Sequence, residues 1–133
     1  QYVAEASFWN GEAYSLGRKY EQATENYLRI VGMGNAVPID LIVNTRYGLG
    51  YAYFNQQQYD RALFNFKEFV NKSTSTQNNL EDGMLRLADC YYVTKVYQEA
   101  LVNYRKVYQM KSPDADYAHM QAGVILGILR KYP

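Results

Sequence analysis

Four times along this chain a set of small and aromatic residues returns with its internal spacing intact. Gly11, Tyr14, Tyr20, Ala23 and Tyr27 form the first copy, and Gly50, Tyr53, Tyr59, Ala62 and Phe66 the second. Ala88, Tyr91, Tyr97, Ala100 and Tyr104 form the third, and Gly123, Leu126 and Tyr132 begin a fourth. The steps within a copy are three, six, three and four residues, and Tyr20, Tyr59, Tyr97 and Tyr132 stand 39, 38 and 35 residues apart. Self-similarity at a period of this size marks stacked supersecondary units.

The spacing within a copy is helical. The small residue and the aromatic three places later share one helix face, and the Tyr, Ala, aromatic steps of three and four fit a second helix. Short connections at Gly17 to Lys19, Asn55 to Gln58 and Thr94 to Val96 separate the two helices of a unit. Longer breaks at Gly32 to Pro38, Ser73 to Asn79 and Ser112 to Asp116 carry the Gly, Pro, Asn and Ser of turns and helix starts. Pro38 and Pro113 suit a first helical turn, where the missing donor would have no partner anyway. Asn78 or Asn79 is positioned to cap the next helix, with Glu81 and Asp82 in its first turn. The pattern predicts helices at about 3–17, 20–32, 39–55, 58–71, 80–94, 97–110 and 114–131 and no competing strand.

Gly11, Gly50, Ala88 and Gly123, with Ala23, Ala62 and Ala100 on the partner helix, let two helix axes approach closely, and the tyrosines fill around the crossing. Fifteen tyrosines among 133 residues supply that filling. A buried aromatic is worth about 2–3 kcal/mol by area, more than the roughly 1 kcal/mol that glycine costs inside a helix.

Chemistry beyond packing finds little support. Fourteen basic and thirteen acidic residues leave a net charge of +1, without the single-sign field of a nucleic-acid binder. No window of about 20 apolar residues exists for a membrane span. His119, the sole histidine, has no Cys or paired carboxylate at ligand spacing, so metal or general-base roles are not expected. The lone Cys90 lies among Leu87, Ala88 and Tyr91 and reads as a small buried apolar group. Gly32 and Gly34 follow no strand and precede no Lys-Ser pair, so no phosphate loop is present, and Gly48 and Gly50 lie inside a helix. No enzyme activity and no cofactor are expected.

Leu49, Gly50, Tyr53, Ala62 and Phe66 match the pattern W-x2-L-G-x2-Y, A-x3-F, and on these residues the chain resembles the tetratricopeptide repeat. The resemblance implies an all-α, right-handed α-solenoid of about seven helices in stacked antiparallel hairpins. It divides 1–133 into one array with units at about 4–42, 43–80 and 81–115 and a partial unit at 116–133. Ser7, Arg46, Met84 and His119 replace the family's Trp, Asn10 replaces its Leu in the first copy, and Asn35, Thr74 and Ser112 replace the closing Pro. The missing closers coincide with the longer breaks and bear on superhelical pitch. The related RNA-binding pentatricopeptide class would bring a basic surface, which this chain lacks.

The resemblance implies a non-catalytic scaffold that holds a protein or peptide on the concave face, lined by the first helix of each unit. Residues two, five, nine and twelve places into each unit point there. They are Glu5, Phe8, Glu12 and Ser15, then Asn44, Tyr47, Tyr51 and Phe54. Asp82, Leu85, Asp89 and Tyr92, and Tyr117, Met120, Val124 and Gly127, follow. The Lys and Asn with which chaperone-binding members grip a C-terminal carboxylate are absent from the fifth and ninth places. The binding set is therefore Phe8, Glu12, Tyr47, Tyr51, Phe54, Leu85, Asp89 and Tyr92, an aromatic strip flanked by carboxylates that suits an apolar or mildly basic segment. The alternatives are a structural spacer or self-assembly element of a longer parent, or a regulatory domain fused to an enzyme elsewhere in it. The Tyr, Asn and Gln richness is similar in style to arrays of the bacterial cell envelope.

A terminal helix in a repeat array is expected to carry a polar outer face, yet the last helix holds Val124, Ile125, Leu126, Ile128 and Leu129. The expectation is that the array continues in a longer protein or that this helix is covered by a neighbouring chain, with self-association through it.

Overall fold

The structure is a computed structural model and describes residues 2–74 and 79–132. The chain falls into two compact units, Gln1–Thr74 and Ser75–Pro133. The first contains α1 (Tyr2–Leu16), α2 (Tyr20–Gly32), a 3-10 turn (Gly34–Ala36), α3 (Ile39–Asn55) and α4 (Tyr59–Lys72). The second contains α5 (Leu80–Val93), α6 (Tyr97–Tyr108) and α7 (Ala115–Lys131). Among the described residues there is no strand, and every helix begins and ends within two residues of its expected place.

Three residues join α1 to α2, α3 to α4 and α5 to α6. So short a link makes each pair an antiparallel hairpin. In the first unit α2 also packs on α3, and in the second α7 packs on α6. This is the pairwise packing of an α-solenoid.

All three hairpins turn by the same device. Arg18, Gln57 and Lys95 adopt the left-handed region at φ of 60°, 60° and 65°. Their N–H groups donate to the carbonyls of Ser15, Phe54 and Tyr92, each at 3.0 Å. The next residues, Lys19, Gln58 and Val96, donate five places back to the cassette carbonyls of Tyr14, Tyr53 and Tyr91 at 2.8, 2.9 and 2.8 Å. The paired six-to-one and five-to-two bonds are a Schellman motif, which satisfies carbonyls the helix end leaves open. Glycine usually takes the left-handed position, but here Gly17 precedes it and larger side chains occupy it. Tyr20, Tyr59 and Tyr97 then open the second helices. Tyr59 stacks edge-on against Phe54 at 5.3 Å, and Tyr97 lies 6.1 Å from Tyr92.

The last cassette aromatic fills the crossing. A Cβ placed on Gly11 would meet the Tyr27 ring at 2.7 Å, and one on Gly50 would meet Phe66 at 2.6 Å. Tyr27 reaches further, since a Cβ on Gly48 of the next hairpin would lie 2.6 Å from the same ring. Thus one tyrosine sits between its own hairpin and the following one, buried to 1% exposure. Tyr27, Phe66 and Tyr104 are all enclosed, as are Ala23, Ala62 and Ala100. Ala4, Ile30 and Val37 extend the core, with Phe8, Met33, Leu41 and Ile42 packed against them.

Two local expectations change. Asn79 does precede α5, but in the left-handed region at φ 69° and with no side-chain capping bond, while Asn78 lies outside the described residues. Pro38 and Pro113 precede α3 and α7 rather than sitting inside their first turns.

A Cβ placed on Gly123 would meet no atom within 4 Å, in contrast to Gly11 and Gly50. Gly50→Ala should therefore cost about 1–3 kcal/mol by forcing the Phe66 ring aside, whereas Gly123→Ala should gain up to about 1 kcal/mol of helix propensity. Urea unfolding of the two variants checks this, and equal shifts would contradict it.

Candidate functional site

In the first unit α1 supplies Phe8 and Glu12, and α3 supplies Tyr47, Tyr51 and Phe54. All five are half-buried. Tyr47 lies 4.9 Å from Phe69 and 6.2 Å from Phe66, and Tyr51 lies edge-on to Phe66 at 5.2 Å. Tyr47 and Tyr51 also meet edge-to-face at 5.2 Å. Their positions four residues apart on one helix face make them neighbours, and α4 braces both from beneath. Phe54 rests on Tyr59 and not in that pair, and Phe8 contacts Trp9 at 5.3 Å and Tyr27 at 6.2 Å. Rings held this way present a surface whose geometry is fixed in advance, which lowers the ordering cost of binding.

The carboxylates behave otherwise. Glu12 accepts a 2.6 Å hydrogen bond from the Tyr27 hydroxyl. In the second unit Asp89 is only 6% exposed. It accepts from the hydroxyls of Tyr104 and of Tyr117 (3.0 Å) and from Arg86 Nη1 at 2.5 Å, and Arg86 Nε stands 3.7 Å from Asp82. Burial raises the Asp89 pKa above its ordinary value, opposed by the Tyr104 hydrogen bond and by the Arg86 charge. Burial and the neighbouring carboxylates likewise raise the hydroxyl pKa values of Tyr27 and Tyr104, so both remain protonated donors.

Two expected contact residues are thereby corrected. Leu85 is buried at 1% exposure and Asp89 is enclosed by tyrosine hydroxyls, so neither offers a ligand a surface. Tyr92 is half-buried against Tyr97. The ninth place of each unit pairs with the last cassette residue: Glu12 with Tyr27, Tyr51 with Phe66, Asp89 with Tyr104. A carboxylate stands where the aromatic carries a hydroxyl, and a ring where it does not. That correlation was present in the sequence. So was Asn26, Asn65 and Asn103, one residue before each aromatic, whose amides donate to the carbonyl four places back at 2.9, 2.9 and 2.8 Å.

Cys90 is fully buried and its thiol is pushed up to about 12, away from thiolate chemistry. His119 is exposed, with its ring tilted against Tyr108 at 5.0 Å. Among the described residues no cluster of His, Cys, Asp and Glu could hold a metal, and no helix is long and apolar enough to cross a membrane.

The hairpin of α3 and α4 thus pairs a glycine crossing, an aromatic at the last cassette place and a bracing ring pair within one unit. A family model described as tetratricopeptide repeat matches residues 45–74, which span most of that hairpin. Over those residues the chain is similar to a tetratricopeptide repeat, within an all-helical array of hairpins. A search of the curated proteins finds no match. Tetratricopeptide repeats generally mediate protein–protein interaction and are typically non-catalytic scaffolds.

Because Asp89 binds a proton more readily folded than unfolded, the folded state gains from protonation. Its contribution to stability should fall as pH rises from the ordinary carboxylate range through the raised value. The stability difference between parent and Asp89→Asn, followed by urea unfolding from about pH 4 to about pH 8, should move against the parent as pH rises. A difference that stays flat or moves the other way would contradict the assignment.

Proposed function

We propose that the chain is a non-catalytic binding module whose first unit holds a protein or peptide segment on the strip formed by Phe8, Tyr47, Tyr51 and Phe54. The carrying observation is that Tyr47 and Tyr51 are half-buried and braced by Phe66 and Phe69. Aromatic rings offer large apolar area with little side-chain entropy to lose. Exposed Glu5 lies on the neighbouring helix, so the favoured segment is apolar with a mildly basic flank. Tyr92 is the corresponding candidate in the second unit.

The cassette residues serve as scaffold, and the variable residues between them are the source of specificity. Peptides selected from a displayed library against the full chain supply probes for it. Tyr51→Lys should weaken the selected peptides by about tenfold or more, with helicity by circular dichroism retained. Unchanged affinity, or selected peptides that carry acidic flanks, would reject the strip as the site.

A further inference from the structure

Each hairpin carries one buried aromatic beneath its first helix, and the presence or absence of a hydroxyl on that ring decides what the ninth place above it does. In the first hairpin Tyr27 is buried, and its hydroxyl donates to Glu12 Oε1 at 2.6 Å. In the second, Phe66 is fully buried and Tyr51 lies edge-on to it at 5.2 Å. In the third, Tyr104 is fully buried and donates to Asp89. A buried hydroxyl left without an acceptor is costly, so tyrosine at this place demands one and phenylalanine does not.

Glu12 stands four residues after Phe8 on the same face of α1, and both are half-buried. A carboxylate turned outward there would lie beside the apolar strip and could pair directly with a ligand cation. The Tyr27 hydroxyl holds it inward instead. That hold is separable from the packing: the ring fills the space over Gly11 and Gly48, whereas the bond to Glu12 is made by the hydroxyl.

On the reading that the strip holds the ligand, we infer that Tyr27 and Phe66 are the positioning residues that set its specificity. Tyr27 keeps the Glu12 carboxylate from pairing with a ligand cation. Phe66 lets the second hairpin present a ring where the other two hold a committed carboxylate. The strip therefore selects an apolar segment by what lies beneath it, and a lysine-rich segment gains no direct ion pair with Glu12.

Peptides selected against the full chain, remade with paired lysines or paired glutamines at both flanks, read the role of Tyr27. Tyr27→Phe should raise the preference for lysine over glutamine flanks about threefold at low salt, and about 1 M salt should remove the rise. Adding Glu12→Gln to Tyr27→Phe should abolish it, while Glu12→Gln alone should change the preference by less than about twofold. A preference unmoved by Tyr27→Phe, or raised equally without the Glu12 carboxylate, overturns the role of Tyr27. Urea unfolding reads the role of Phe66 with no ligand present. Phe66→Tyr should lower the midpoint in the parent, where the ninth place offers a ring, and raise it in a Tyr51→Glu background, where it offers an acceptor. Shifts of the same sign in both backgrounds overturn the role of Phe66. If Tyr51→Lys leaves peptide affinity unchanged, the strip is not the site, and the two midpoints alone decide whether the crossing residue governs the ninth place.

Discussion

An aromatic ring lying directly on glycine backbone is the interaction from which the first unit is built. Where Gly11 and Gly50 omit a side chain, Tyr27 and Phe66 occupy the space, so close that any Cβ would collide. The ring's burial outweighs the helix propensity that glycine gives up, by about 2–3 against about 1 kcal/mol. Tyr27 carries the device from one hairpin to the next through Gly48. A hairpin alone buries too little to be stable, so the ring that belongs to two hairpins is what makes a stack of them.

The same rings govern the polar residues around them. A tyrosine buried at the crossing must satisfy its hydroxyl, and Glu12 and Asp89 do so for Tyr27 and Tyr104. Phe66 has no such need, and Tyr51 packs on it instead. Carboxylates that would have made an acidic ligand groove are thus committed to the interior of their own hairpins. What is left for recognition in the first unit is the braced aromatic pair on α3, with exposed Glu5 on α1.

The helices were legible in the sequence because periodicity reports which residues share a helix face, and Gly, Ala and Tyr at fixed steps leave few other solutions. The hairpin turns were legible in position but not in chemistry, since Arg18, Gln57 and Lys95 carry no glycine signal for the left-handed region. The candidate site divides by burial. Tyr47, Tyr51 and Phe54 remain half-exposed, while Leu85 and Asp89 share their register and yet are buried. Register along one helix cannot say how deeply a neighbouring helix covers it.

The central claim is that the ring between two glycines couples neighbouring hairpins, and a double-mutant cycle of Gly48→Ala with Tyr27→Leu measures it most directly. With the ring removed, the added methyl has room, so Gly48→Ala should lose at least about 1 kcal/mol of its destabilising effect in the Tyr27→Leu background. Strictly additive free energies would contradict the account.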